Sequence, residues 1–229
     1  MKRFLTISLS LLSLTSFSQN YKFNIKFCPL ALTDGFSFPT IQGGIEFKLS
    51  DRLAMYNEFG SKYRKAYFEW SDTSFIRSSG FKVKSEIRYY FPNQFGEEKK
   101  SKLMNGVYLS ANVFYNRDFY NSAIRYYANQ DTTVETLDNF SVKKKVFGIN
   151  LAIGKQQIIA KHLVIDFYGG LGIRFRNIEN FHQEYNPDKD LIVPTVDLTY
   201  QGIKSIIDTN EGTHCLPNLT AGFRIGYQF

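Results

Sequence analysis

FKVKSEIRYYF, residues 81–91, alternates apolar and polar side chains with almost no break. Phe81, Val83, Ile87, Tyr89 and Phe91 share one parity; Lys82, Lys84, Glu86, Arg88 and Tyr90 share the other. Strand side chains project to opposite faces with period two, whereas an amphipathic helix repeats at 3.6. The stretch therefore specifies a strand with one apolar and one polar face. Seven more segments of this kind are found, at residues 21–30, 41–49, 53–62, 107–115, 146–156, 163–176 and 217–229. An aromatic share of 17%, with 22 Phe and 15 Tyr, suits pleated, half-buried surfaces.

A chain of 229 residues is long enough for one barrel or sandwich domain. Its start, MKRFLTISLSLLSLTSFSQN, reads as a secretory signal: Lys2 and Arg3, a short apolar run from Phe4 to Leu14, then small residues Ser16 and Ser18. Cleavage after Ser18 divides the chain into a signal peptide, residues 1–18, and a barrel domain, residues 19–229. The apolar run is shorter than the roughly 20 residues of a spanning helix. Cys28 follows Ile25, Lys26 and Phe27, which do not form a lipoprotein cleavage site. Losing Lys2 and Arg3 lowers the formal charge from +7 to +5. Export and the scatter of the charges argue against a nucleic-acid partner. Lys143, Lys144 and Lys145 read as a solvated loop edge or a membrane-flanking basic cluster.

After residue 20 no apolar stretch is long enough for a membrane helix. A membrane protein of this pattern must then be a closed barrel, because lipid leaves no other way to satisfy a strand backbone. A soluble barrel would alternate equally but turn its apolar face inward. The polar face carries both signs of charge, which suits a narrow lumen or a solvated surface alike. It is also rich in glycine: Gly148, Gly154, Gly170, Gly172, Gly222 and Gly226. Glycine has little use on a water-facing wall, whereas an eight-stranded interior needs small residues beside large ones. The connections at residues 50–52, 92–106 and 157–162 are polar or short, the second being longer than an inner turn requires. Those on the other side lengthen toward the last, at about residues 177–216. The expected fold is all-β, an eight-stranded antiparallel up-and-down transmembrane β-barrel.

AGFRIGYQF, residues 221–229, closes the chain with Phe223, Ile225, Tyr227 and Phe229 on one face. It resembles the terminal β-signal of outer-membrane barrels, alternating apolar residues with a terminal aromatic. Together with LSDR closing a hairpin and EIRYYF ending a strand, the mature chain resembles the small outer-membrane β-barrel families, OmpA/OmpX-like or PorT-like in general form. That resemblance implies a bacterial outer-membrane location, surrounding lipid, and a barrel insertion machinery that reads Phe223, Ile225, Tyr227 and Phe229.

The expected lumen charge network is Lys26, Glu46, Glu58, Lys84, Glu86, Arg88, Asp166, Arg174 and Arg224. Interlocked pairs of this kind would plug eight strands and leave a structural or interaction scaffold displaying outer loops. A narrow pore or transporter for small solutes is the alternative. Cys28 and Cys215 allow one disulfide between the outer ends of the first and last strands, which must neighbour each other. Cys28 falls on the lumen parity and Cys215 on the opposite one, unless Pro217 interrupts the alternation.

No catalytic, metal or cofactor constellation stands out. His162 reads as a turn residue, and His182 lies among loosely spaced carboxylates in the last loop. His214 sits beside Cys215, and no G-x-S-x-G motif is present. An enzyme is not expected. Tyr63, Tyr67, Phe68 and Trp70, and Phe119, Tyr120, Tyr126 and Tyr127, form two outer-loop aromatic clusters. They suit an interfacial girdle or a recognition surface for an extracellular protein or glycan.

Overall fold

The computed structural model describes residues 23–34, 37–63, 78–92, 104–159, 161–193 and 209–229. The signal peptide, Lys22, Tyr67, Phe68 and Trp70, and parts of the 92–106 turn and of the last loop lie outside the described residues. The strands are β1 (Phe23–Phe27), β2 (Thr40–Lys48), β3 (Leu53–Lys62), β4 (Ser79–Tyr90), β5 (Gly106–Tyr127), β6 (Glu135–Ile159), β7 (Leu163–Phe181), β8 (Leu191–Ile192) and β9 (Gly212–Gln228). They pair in the order β4-β3-β2-β1-β9-β7-β6-β5, and β4 also pairs with β5, so eight antiparallel strands join into a ring. β8 stands outside the ring against Tyr126 and Tyr127. Ring closure leaves no unpaired strand edge along the shared length.

The two faces have the orientation of an inside-out globule. Ile45, Phe59, Ile87, Leu151, Leu171 and Leu219 point outward and are exposed, Leu219 at 79%. Lys26, Glu46, Glu86, Arg88, Asp166 and Arg224 point inward and are buried. Lumen glycines let large rings lie against the wall. A Cβ at Gly154 would collide with the Tyr108 ring, and one at Gly222 with the Tyr168 ring.

β5 and β6 are much longer than the predicted 107–115 and 146–156. They continue as one hairpin to Tyr127 and Glu135, turning only at residues 128–134. Above about Asn116 and Val146 the polarity reverses: Tyr120, Ile124, Tyr126, Phe140 and Val142 face inward and are buried, while Arg117, Arg125 and Asn139 face outward. With Ile178 and Tyr185 the inward residues form a second hydrophobic core at the outer end. The chain after β7 folds over it. Asp138 Oδ2 accepts the backbone N–H groups of Glu184 and Tyr185 at 2.7 and 2.9 Å, and Tyr126 packs edge-on against Tyr185. Phe119, Tyr120, Tyr126 and Tyr127 thus belong to a strand, not to the expected loop.

The long connection between β4 and β5 also has a structural use. Met104, at φ 56, ends it inside the base of the ring, 4% exposed, packed with Ala54, Tyr90 and Tyr108.

Gly222→Val drives a side chain into the Tyr168 ring, so we expect it to destabilise the fold by about 1–3 kcal/mol, the usual cost of overpacking. Tyr168→Ala in the same chain should return part of that loss. Denaturant unfolding of the single and double variants measures both, and simple additivity of the two losses would contradict the contact.

Candidate functional site

Inward parity on six strands brings Lys26 (β1), Glu46 (β2), Glu58 (β3), Lys84, Glu86 and Arg88 (β4), Asp166 (β7) and Arg224 (β9) to one level of the lumen. Arg88 pairs with Glu86 through Nε at 2.9 Å, and through Nη1 with Glu46 and Asp166 at 3.0 Å each. Arg224 reaches Glu58 through Nε at 2.9 Å, Asp166 through Nη1 at 3.1 Å and Glu86 through Nη2 at 3.2 Å. Lys26 bridges Glu46 and Asp166 at 2.8 and 3.1 Å, and Lys84 meets Glu58 at 2.9 Å.

Tyrosines complete the cluster. Tyr56, Tyr90 and Tyr108 donate their hydroxyls to Glu58, Glu46 and Asp166, each at 2.7 Å. The Arg88 guanidinium lies 4.5 Å from the Tyr108 ring centre, and that of Arg224 lies 3.8 Å from Tyr168. Gln156 accepts from Lys26 and Arg88 and donates to Glu46 and to the Met104 carbonyl. Four cations (Lys26, Lys84, Arg88, Arg224) face four carboxylates (Glu46, Glu58, Glu86, Asp166), so the cluster is neutral. A buried ion is tolerable when paired and hydrogen-bonded in this way, and costs several kcal/mol when it is not.

Buried side chains also enter the lumen above and below this layer. Below it, Asn24 donates to Glu46 at 2.7 Å beside Met104. Above it, the chain after β1 folds back so that Phe38 is 4% exposed, beneath the ammonium groups of Lys62 and Lys82. Those lysines pair with Asp118 and Asp34, both at 2.6 Å. On the other wall Asn218 donates to Asn150, and Asn150 to Asn112.

Arg174 does not join the network. It sits much farther out along β7, opposite Gly148 and Leu216, and its Nε has no hydrogen-bond partner. Gln42, which donates to Glu58, was missing from the expected site, as were the tyrosines and Gln156, although their parity matches that of the charges.

The disulfide does not form; both cysteines are free. β1 ends at Phe27 opposite Ile225, so Cys28 lies at the level of Arg224, roughly 30 Å along β9 from Cys215 at about 3.3 Å per residue. Cys28 is also buried, its Sγ donating to Glu58 at 3.2 Å, while Cys215 is exposed on the outer face. A bridge needs Cα atoms within about 7 Å.

Phe223, Ile225 and Tyr227 lie on the outer face of β9 and Phe229 directly follows the strand; Phe223 stacks on Phe167, and Phe229 on Phe23. His162 stacks on Tyr227, and His214 contacts the Glu211 carbonyl. Among the described residues no three His, Cys, Asp or Glu side chains are grouped to hold a metal.

The family described as "Protein of unknown function (DUF3575)" matches residues 5–195 of this chain. Among curated proteins no sequence matches it. Among solved structures, the crystal structure of a major outer membrane protein from Thermus thermophilus is similar over 92% of this chain and 100% of that one, at 10% identity and a TM-score of 0.40.

Arg88→Met removes one of the four cations and leaves the buried cluster with one uncompensated negative charge, so we expect it to destabilise the fold by about 3–5 kcal/mol. Arg174→Met, outside the cluster, should cost less than about 1 kcal/mol. Denaturant titration of both variants makes the comparison, and equal losses would contradict the central role of the cluster. In the folded protein a maleimide should label Cys215 within minutes and Cys28 only after unfolding; equal labelling of both would contradict the buried thiol.

Proposed function

The chain belongs to the DUF3575 family, and we propose that it is a bacterial outer-membrane β-barrel with a filled interior, a non-conducting and non-enzymatic scaffold that displays a folded outer extension. The observation that carries this proposal is the polarity reversal along β5 and β6. Where the ring is complete, the outer face is apolar and the inner face charged. Above it the same two strands place their apolar residues inside and their polar residues outside, as a protein in water does. A change of solvent from lipid to water along one strand accounts for both halves. Residues 107–115 match the roughly 9–11 residues that a tilted strand needs to cross a bilayer.

Aromatic rows at both borders support the same orientation. At the end holding the C-terminus, Phe23, Tyr89, Phe91, Tyr227 and Phe229 pack together in pairs. At the other border Tyr115, Phe147 and Phe175 fall on paired positions of β5, β6 and β7. Such girdles flank the lipid-facing band of membrane barrels. On this proposal, residues 1–18 direct export, and Phe223, Ile225, Tyr227 and Phe229 are read by the insertion machinery. The general form is that of OmpA/OmpX-like and PorT-like barrels. The extension offers its surface to an extracellular protein or glycan.

A pore for small solutes would need a water path through Met104, the charge layer and Phe38, each of which blocks the lumen at its own level. The pure protein in planar bilayers is therefore expected to insert without steady ion conductance. Reproducible stepwise openings would contradict the scaffold and favour the transporter.

A further inference from the structure

The outer wall carries a groove of about 820 Å³ where β4, β5, β6 and β7 rise out of the apolar band, lined in part by Phe81, Arg117, Phe119, Lys143, Phe181 and His182. The geometry points to a binding site there for the phosphorylated headgroup of an outer-leaflet lipid, an inference that rests on the membrane orientation proposed above.

Strand register places the charges. Arg117 pairs across β5 and β6 with Lys145, Phe119 with Lys143, and Lys143 in turn with Glu179 on β7. All of these side chains belong to the outward parity. One step toward the membrane on the same face lie Tyr115, Phe147 and Phe175, and Phe81 packs against Tyr115 with ring centres 5.9 Å apart. The cations therefore sit immediately above the aromatic border, at the depth of lipid headgroups.

Their electrostatics are unbalanced. Glu179 holds Lys143 at 2.8 Å and Lys145 at 2.7 Å, and these two hydrogen bonds keep its carboxyl ionised by lowering its pKa to about 2. One carboxylate thus orders two lysines, while Arg117 stands exposed beside them. Three cations against one anion leave an excess positive charge, and the planar Arg117 fork suits two phosphate oxygens. Basic groups at this depth attract anionic headgroups. At the height of Arg117 and Lys145 the outer face of β9 presents the uncharged Thr213, and the next outward residue, Glu211, accepts the backbone N–H of Asn180. Phe81, Phe119 and Phe181 provide the apolar walls against which the glycerol or sugar portion and the upper acyl chains would lie.

Native mass spectrometry of the full folded protein tests the site with bisphosphorylated lipid A, its dephosphorylated form and inorganic phosphate as probes. Wild type is expected to prefer the bisphosphorylated lipid. Arg117→Gln/Lys143→Gln should weaken that binding about tenfold or more, and Lys155→Gln, on the outer face near the opposite border, should leave it unchanged. Equal affinity for the dephosphorylated lipid, equal binding by the double variant, or inorganic phosphate binding as tightly as the lipid would each overturn the site. Boiled and unboiled electrophoretic mobility is read on every variant. Lost lipid preference in a protein that keeps its heat-dependent shift removes the site alone. A wild type with no shift and no insertion into vesicles removes the membrane orientation, and the site with it.

Discussion

One carboxylate oxygen, Oδ2 of Asp166, accepts from Arg88, Arg224 and Lys26, while Oδ1 of the same group accepts from Tyr108. Those donors come from β4, β9, β1 and β5, so a residue of β7 gathers strands from around the ring to one point. The constraint behind this is geometric. Eight strands enclose a space about as wide as the side chains that line it, and a charge placed there has no water to solvate it. Each cation must find its anion across the lumen, and each remaining lone pair must find a tyrosine or an amide. Glycine at positions such as 154 and 222 follows from the same crowding, because the Tyr108 and Tyr168 rings that support the guanidinium groups lie over their cross-strand neighbours Gly154 and Gly222.

Filling the interior with ion pairs frees the apolar residues to face outward. On the proposal made above, Met104, the charge layer and Phe38 close the interior to solutes, while their contacts tie the strands together. β5, β6 and β7 continue beyond the row of Tyr115, Phe147 and Phe175 as a small folded unit with its own core, the part that the proposal assigns to interaction. That unit is held by Asp138 and by Asp190, whose carboxylate accepts backbone N–H groups of Asn129 and Asn186. It is an ordered platform built on the same strands that form the barrel wall.

Much of this was legible from parity. The alternation in residues 81–91 assigned Lys84, Glu86 and Arg88 to one face, and the same rule on other strands assigned Lys26, Glu46, Glu58, Asp166 and Arg224. Parity cannot give height, so Arg174 was grouped with charges that lie far below it. The tyrosines were missed because the expected site was drawn from charged residues alone: parity put Tyr90 on the face of Lys84, Glu86 and Arg88, but it does not show a hydroxyl donated to a carboxylate. The upper halves of β5 and β6 were missed for a different reason. Tyr120, Ile124, Phe140 and Val142 keep the alternation but exchange its faces, and a pattern that changes sign looks like a loop. The disulfide failed on length: β1 stops at Phe27, a fact set by pairing with β2 and β9 and not by its own residues.

The most direct test places nitroxide labels singly at Phe147, Ile149, Leu151 and Ile153 on the outer face of β6, and at Leu137 in the extension, with the protein reconstituted in lipid vesicles. Accessibility to oxygen is then compared with accessibility to a water-soluble nickel chelate. An apolar face turned to lipid predicts that the four lower labels favour oxygen, most strongly at Ile149 and Leu151, and that Leu137 favours the chelate. Chelate accessibility at all five sites would contradict it, because the exposed apolar band would then face water.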